Sequence, residues 1–63
     1  MIKFFVYTDG AVAAVCDCKK YADIHADYNR LTGCSDVTVR RKKTTPAELD
    51  ELRRQGLYVH LNS

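Results

Sequence analysis

The sequence predicts a single small α+β domain whose elements follow in the order strand, strand, helix, strand, helix, strand (ββαβαβ). Three observations lead to this fold class: a hairpin signal opens the chain, two stretches with helical features follow it, and a short alternating stretch comes after each helix. We expect an N-terminal β-hairpin and a three- or four-stranded sheet with both helices on one face. A chain of 63 residues has room for one domain, residues 1–63.

The hairpin is the clearest local signal. Two β-rich stretches, residues 2–8 and 11–17, flank the dipeptide Asp9-Gly10, which accepts the positive φ angles of a type I′ turn. A regular ladder from this turn pairs Phe4 with Val15 on one face of the hairpin. Both faces then carry apolar residues, and the sequence leaves open which face the helices cover.

Residues 19–32 have the periodicity of an amphipathic helix. Large apolar side chains recur at spacings of three, four and three, and we expect them to face the core. The members of this stripe are Tyr21, Ile24, Tyr28 and Leu31. Gly33 follows at the position where a helix C-terminal cap favours a left-handed residue.

The second helix has explicit start and stop signals within "TTPAELDELRRQGL". Thr45 is suited to the N-cap, Pro46 to the first turn, and Glu48 to the reciprocal position of a capping box. Gly56 predicts that this helix ends in a Schellman motif, in which Leu57 is the residue after the glycine.

Two further strands complete the predicted order. Residues 36–42 alternate apolar and polar side chains, and so do residues 57–61, "LYVHL". The expected core consists of Phe4, Val6, Val15, Ile24, Tyr28, Leu31, Val37, Val39, Leu49, Leu52, Val59 and Leu61. A domain this small buries a low fraction of its surface, so a second subunit or a bound partner would add to its stability, and a homodimer is compatible with the sequence.

Composition narrows the classes of function. Ten basic against eight acidic residues give a net charge of +2, too mild for strong non-specific attraction to nucleic acid. No window is long and apolar enough for a membrane span, and "IKFFVYTDG" is too short and polar for a signal peptide. Three cysteines, an odd number, fit free thiols in a reducing compartment. We therefore expect a cytoplasmic protein without membrane association.

The stretch "VTVRRKKTTPAEL" supplies the candidate interface. If both helices cover one face, the bare face of the sheet displays aromatic and cationic side chains together. The expected partner-binding residues are Arg40, Lys42, Tyr58, His60, Phe5 and Tyr7. Such a surface suits a protein partner or, alternatively, the bases and phosphates of single-stranded RNA or DNA. We find no aromatic and glycine signature of an RNA-recognition motif, which favours a protein partner.

Two other interpretations of these residues stay open. Cations at the end of a strand also prevent edge-to-edge association and keep a small protein soluble. Phe5 and Tyr7 would instead belong to the core if the hairpin presented its other face to the helices.

Catalytic and metal chemistry are not expected. Cys16, Cys18 and His25 invite a zinc interpretation, but same-face strand residues two apart lie about 7 Å from each other, too far for two ligands of one zinc ion. We expect these thiols to pack beneath a helix and Cys34 to be the most exposed of the three. No motif joins a nucleophile to a base, so the sequence predicts no enzyme, no cofactor and no metal site.

The order hairpin, helix, strand over residues 2–43 resembles small phage-encoded inhibitors of host enzymes such as bacterial RNA polymerase. The resemblance is one of architecture and carries over no site residue. It implies a compact inhibitor or regulator that binds a host protein. The expected function is thus a non-enzymatic binding module for a macromolecular protein partner, with single-stranded nucleic-acid binding as the alternative.

Overall fold

A computed structural model describes residues 1–58, which form a three-stranded antiparallel sheet and two helices. In chain order the elements are β1 (Ile2–Thr8), β2 (Ala11–Cys16), α1 (Lys19–Leu31), β3 (Val37–Lys43) and α2 (Pro46–Arg54). The strands lie in the order β2-β1-β3, so β1 is central. The α+β class and the order of these five elements are confirmed.

The predicted fourth strand is described only at its first two residues. Tyr58 forms a single parallel bridge with Val15 of β2, and the Val15 N–H donates to the carbonyl of Leu57 across 2.8 Å. The remainder of that prediction, residues 59–61, lies outside the described residues. Among residues 1–58, neither helix has the length and apolar character needed to cross a membrane.

The predicted hairpin turn is confirmed. Asp9 and Gly10 have φ angles of 51° and 86°, as a type I′ turn requires. Asp9 also fixes the loop before β3, because its N–H donates to the Asp36 carbonyl and its carboxylate accepts from the Asp36 N–H and from Ser35 Oγ. The turn therefore aligns β3 with the end of the hairpin.

A β-bulge at Ala13 changes the register that the sequence predicts for the hairpin. An extra residue in one strand shifts every pairing beyond it by one position. Val15 consequently lies opposite Phe5, and its predicted pairing with Phe4 is wrong. Both apolar side chains of the Phe5–Val15 pair point to the same face of the sheet.

The two helices cover opposite faces of the sheet, so the prediction that both lie on one face is wrong. On one side, Ala22 and Ala26 of α1 pack with Val6. On the other side, Leu49 of α2 packs with Phe5. Successive strand residues point to opposite faces, so Phe5 and Val6 give the sheet an apolar surface on each side. The bulge adds Val15 to the α2 side.

The large apolar stripe of α1 faces away from the sheet, contrary to prediction. Its inward face is formed by the buried residues Ala22 and Ala26. Small side chains let the helix lie close to the sheet, whereas the stripe is on the far side of the helix. Periodicity detects an apolar face but does not specify which surface that face will contact.

The predicted helix ends are confirmed. Thr45 and Glu48 form a reciprocal capping box at the start of α2. At its end, Gly56 has a φ angle of 76°, and the N–H of Leu57 donates to the carbonyl of Leu52, as in a Schellman motif.

The predicted core is confirmed in part. Val6, Val15, Val37 and Leu49 are buried. Partly buried side chains pack around them, namely Phe4, Val39 and Leu52. The predicted core residues that are instead exposed are Ile24, Tyr28 and Leu31, and those outside the described residues are Val59 and Leu61. Buried residues absent from the predicted core are Phe5, Ala14, Ala22 and Ala26. Cys16 is buried with Ala22 and Ala26 of α1, as expected for a thiol that packs beneath a helix.

Candidate partner-binding site

An open groove lies beside β3 on the α2 side of the sheet. Its volume is about 600 Å³. It is lined by Tyr7, Gly10, Asp36, Thr38, Arg40, Arg41 and Lys42, and we call it the basic groove. The β1–β3 register creates it, because Arg40 pairs with Phe5 and Thr38 pairs with Tyr7, which places these four side chains on one face.

Lys42 is held at the groove by two aromatic residues. Its Nζ lies 4.9 Å from the centre of the Phe5 ring and 3.3 Å from Tyr7 Oη. The two rings stack with a centroid distance of 6.2 Å. A cation over an aromatic face is attracted by the ring quadrupole, so this arrangement orients the ammonium group toward the groove.

The positive charge of β3 is not neutralised within the described part of the chain. Arg40, Arg41, Lys42 and Lys43 are all exposed. Every ion pair described for residues 1–58 involves other basic residues. The strand therefore presents four charged groups that are available to an external anion.

The outer edge of β3 is also open. Among residues 1–58, β3 pairs only with β1, whereas β2 makes a bridge to Tyr58 on its outer side. At the start of the strand, the Val37 carbonyl accepts from Arg30 across 3.2 Å, and beyond it no strand among residues 1–58 covers the edge. An edge strand without a neighbouring strand presents backbone N–H and C=O groups to an extended chain that approaches it. The charged groups and the free edge belong to the same strand.

Phe5 does not have the exposed position that a contact residue needs. Its exposed fraction is 5%, because Leu49 and Val15 pack against it. Its assignment as an exposed contact residue on a bare sheet face is wrong, because α2 covers that part of the face. Tyr7 is partly buried against the same cluster and still lines the groove.

Tyr58 does not line the groove, although it packs against the same apolar cluster as Tyr7. Its hydroxyl donates to Asp17 Oδ1, which also accepts from Lys3 Nζ. Lys3 and Arg53 each lie 5.4 Å from the Tyr58 ring centre. The hydrogen bond to Asp17, with a further contribution from Tyr58, raises the pKa of Lys3 above its usual value. His60, another predicted contact, lies outside the described residues.

A second candidate surface is the apolar face of α1, which we call the α1 stripe. Its residues are Tyr21, Ile24, Tyr28 and Leu31, with exposed fractions of 38%, 52%, 64% and 87%. Contiguous exposed apolar residues typically mark contact surfaces. The sequence reveals the stripe by its spacing, yet the same spacing led to its assignment to the core.

The cysteines do not form a site in the described residues. Cys16 is buried beneath α1, and its burial, with contributions from Cys18 and Asp17, raises the pKa of its thiol. Cys18 and Cys34 are partly buried. Within residues 1–58, no group of three or more His, Cys, Asp or Glu side chains is placed to hold a metal ion.

Comparison with known proteins leaves the chain without a matched relative: no family model, curated protein or solved structure matches it. The features of the chain that bear on function are the basic groove, the edge of β3 and the α1 stripe.

Proposed function

We propose that this chain is a non-enzymatic binding module that docks a protein partner by receiving an acidic, extended segment of that partner at β3. The observation that carries the proposal is that four exposed cations without ion pairs in the described residues lie on a strand whose outer edge is open. Charge and backbone hydrogen bonding would then act on the same segment.

The distribution of charge supports an acidic occupant. The net charge of the whole chain is only +2, although Arg40, Arg41, Lys42 and Lys43 alone contribute four positive charges. The positive potential is thus local to β3. Alternation along the strand gives two of these residues, Arg40 and Lys42, to the face of Phe5 and Tyr7, and the other two to the opposite face. A local positive potential accelerates encounter with an oppositely charged partner and favours one orientation of it.

The geometry of a strand supports an extended occupant. Peptides add to an exposed sheet edge through main-chain hydrogen bonds, while alternate side chains provide specificity. Arg40 and Lys42 are two residues apart on the groove face, roughly 7 Å from each other. Carboxylates at every second position of an added strand have the same repeat and would meet these two cations.

Single-stranded nucleic acid is the second candidate, favoured by the presence of Arg40 and Lys42 beside Tyr7. Successive phosphates would suit the cations. Such sites, however, stack bases on exposed aromatic rings. Burial of Phe5 and the stacking of Tyr7 against it leave little aromatic surface for that purpose, which makes a protein segment the better occupant.

Inhibition or regulation of a host enzyme by a phage-type protein is one role for a module of this size. A small protein can act in this way by occupying an acidic segment of an enzyme surface.

Fluorescence anisotropy with defined probes tests the proposal. The probes are a labelled peptide of alternating Glu and Thr, the matched peptide of Gln and Thr, and an oligothymidine of similar length. We expect the Glu peptide to bind most tightly. The double variant Arg40→Glu, Lys42→Glu should weaken its binding by at least about tenfold, since two attractive charges become repulsive.

The control is the double variant Lys19→Glu, Arg54→Glu, which changes the net charge equally at exposed helix positions outside the groove. It should alter binding by less than about threefold. Preferential binding of oligothymidine, with a salt slope that falls by about one unit per cation removed, would replace the proposal by the nucleic-acid alternative. Equal loss in both double variants would show that only net charge matters and would refute the site.

A further inference from the structure

We propose that two copies of this chain pair through the α1 stripe, with the two helices antiparallel about a two-fold axis. The proposal concerns a different surface from β3 and does not depend on what β3 binds. Ala22 and Ala26 attach α1 to its own sheet on the opposite side of the helix, so pairing would leave the core of each copy unchanged.

The area of the stripe reaches the lower limit for a specific contact. Taking about 200 Å² for each large side chain, the exposed fractions amount to on the order of 500 Å² per copy. That is more than a tenth of the total accessible surface of 4266 Å². Two copies would together bury on the order of 1,000 Å², the size at which specific interfaces begin.

The spacing of the stripe is self-complementary. A two-fold interface requires that each contact occur twice with the roles of the copies exchanged. Spacings of three, four and three read the same in both directions, so an antiparallel pair centred on Ala26 sets Tyr21 opposite Leu31 of the second copy and Ile24 opposite Tyr28. Every large side chain of the stripe then meets another apolar side chain.

The charged margin of the stripe also permits a second copy. Lys20 and Asp27 lie along one side of it at helical spacing, and their charges are opposite. The margin therefore has no net charge, and a two-fold pair brings no like-charged margins together. A second copy is therefore enough to cover the apolar surface, and no different protein is needed to balance the charge beside it.

The small size of the domain is a further reason to expect a second copy, because pairing would add to its stability. Only nine apolar side chains are buried in the described residues, several of them alanine or valine. Small domains commonly gain stability by association. Covering the stripe would add four large apolar side chains to those removed from water in each chain.

Sedimentation equilibrium of the full chain, from micromolar to near-millimolar concentration, tests the pairing. We expect a reversible monomer–dimer equilibrium for the wild type. Ile24→Lys and Tyr28→Glu should each raise the dimer dissociation constant at least about tenfold, because each places an unpaired charge against an apolar side chain. Ala47→Lys, an equivalent substitution at an exposed position of α2, should leave the dissociation constant unchanged.

A mixture of the two stripe variants distinguishes the antiparallel arrangement from others. In the mixed pair the introduced cation faces the introduced anion, and the second contact is the native Ile24–Tyr28 contact. We therefore expect mixing to restore association toward the wild-type level. Circular dichroism of each variant verifies folding, which is expected since both positions are more than half exposed.

Three outcomes would overturn the proposal. A wild type that stays monomeric throughout would mean that the stripe does not pair with itself. Dimers that persist in both single variants would move the interface elsewhere. Failure of the mixture to recover association, with both variants folded, would exclude the antiparallel two-fold contact.

Discussion

The Tyr58 hydroxyl donates a hydrogen bond to Asp17 Oδ1 across 2.5 Å. The same oxygen accepts from Lys3 Nζ, also at 2.5 Å. These three side chains connect β1, the end of β2 and the segment after α2. Because α2 is joined to the sheet by few apolar contacts beyond Leu49 and Leu52, this polar cluster is an important attachment of the C-terminal part of the fold.

Removal of the Tyr58 hydroxyl should have a measurable but modest effect. We expect Tyr58→Phe to lower the free energy of unfolding by about 1 kcal/mol, the net contribution typical of one hydrogen bond. Asp17→Asn should cost about 1–2 kcal/mol, since it leaves Lys3, whose side chain is only 15% exposed, without its carboxylate. Urea denaturation of both variants and of the double variant checks this. Strictly additive effects would contradict a shared cluster.

Stability should fall at alkaline pH through Lys3. Its pKa is raised in the folded state, chiefly by the hydrogen bond to Asp17. The stabilisation is thus fully present below the unfolded pKa of about 10.4 and is lost as pH rises through the higher folded value. The stability difference between wild type and Lys3→Met should be constant from neutral pH to about pH 9 and shrink above about pH 10.5. A difference that stayed constant to strongly alkaline pH would contradict the pKa shift.

Leu31 of α1 and Leu49 of α2 both belong to the apolar pattern of their helices, but they should differ sharply in their contribution to stability. Leu49 is buried against Phe5, and we expect Leu49→Ala to cost about 2–4 kcal/mol. Leu31 is 87% exposed, and Leu31→Ala should change stability by less than about 0.5 kcal/mol. Both are measured by urea denaturation at protein concentrations where the chain is monomeric. Comparable costs would mean that the α1 stripe faces the core after all.

The three thiols should differ in their rates of alkylation. Cys16 is fully buried and its pKa is raised, so its reactive thiolate is scarce as well as inaccessible. We expect iodoacetamide at mildly alkaline pH to modify Cys18 and Cys34 first, with Cys16 reacting only in denaturant. Peptide mass spectrometry assigns each site. Early modification of Cys16 in the folded chain would contradict its place beneath α1.

The sequence alone was sufficient to predict those features of the fold that depend on residues close together in the chain. The turn at Asp9-Gly10 and the capping box at Thr45 depend on side chains within four residues of each other, and both are confirmed. The bulge at Ala13 has no comparable local signal, since neighbouring Ala and Val residues allow either register. One residue of slip is enough to exchange the two faces of a strand, so the location of Val15 could not be predicted.

The candidate site was predictable to the same limited degree. Alternation along β3 correctly grouped Arg40 with Lys42, and the register with β1 places Tyr7, also named from the sequence, on the same face. The burial of Phe5 depends on α2 crossing to the other face, which follows from long-range packing rather than from any local pattern. The α1 stripe was detected by its spacing, but an unsatisfied apolar face and a core face have the same periodicity.

The most direct measurement of the central claim is an NMR titration of the ¹⁵N-labelled chain with the Glu-Thr peptide. If β3 receives an acidic segment, the amide signals of β3 shift saturably, and those of Val39, Arg41 and Lys43, which point to the outer edge, shift most. The signals of α1 should be unaffected. The same titration of the Arg40→Glu, Lys42→Glu variant should abolish those shifts. Shifts confined to α1 or α2, or no saturable shift at near-millimolar peptide, would contradict the account.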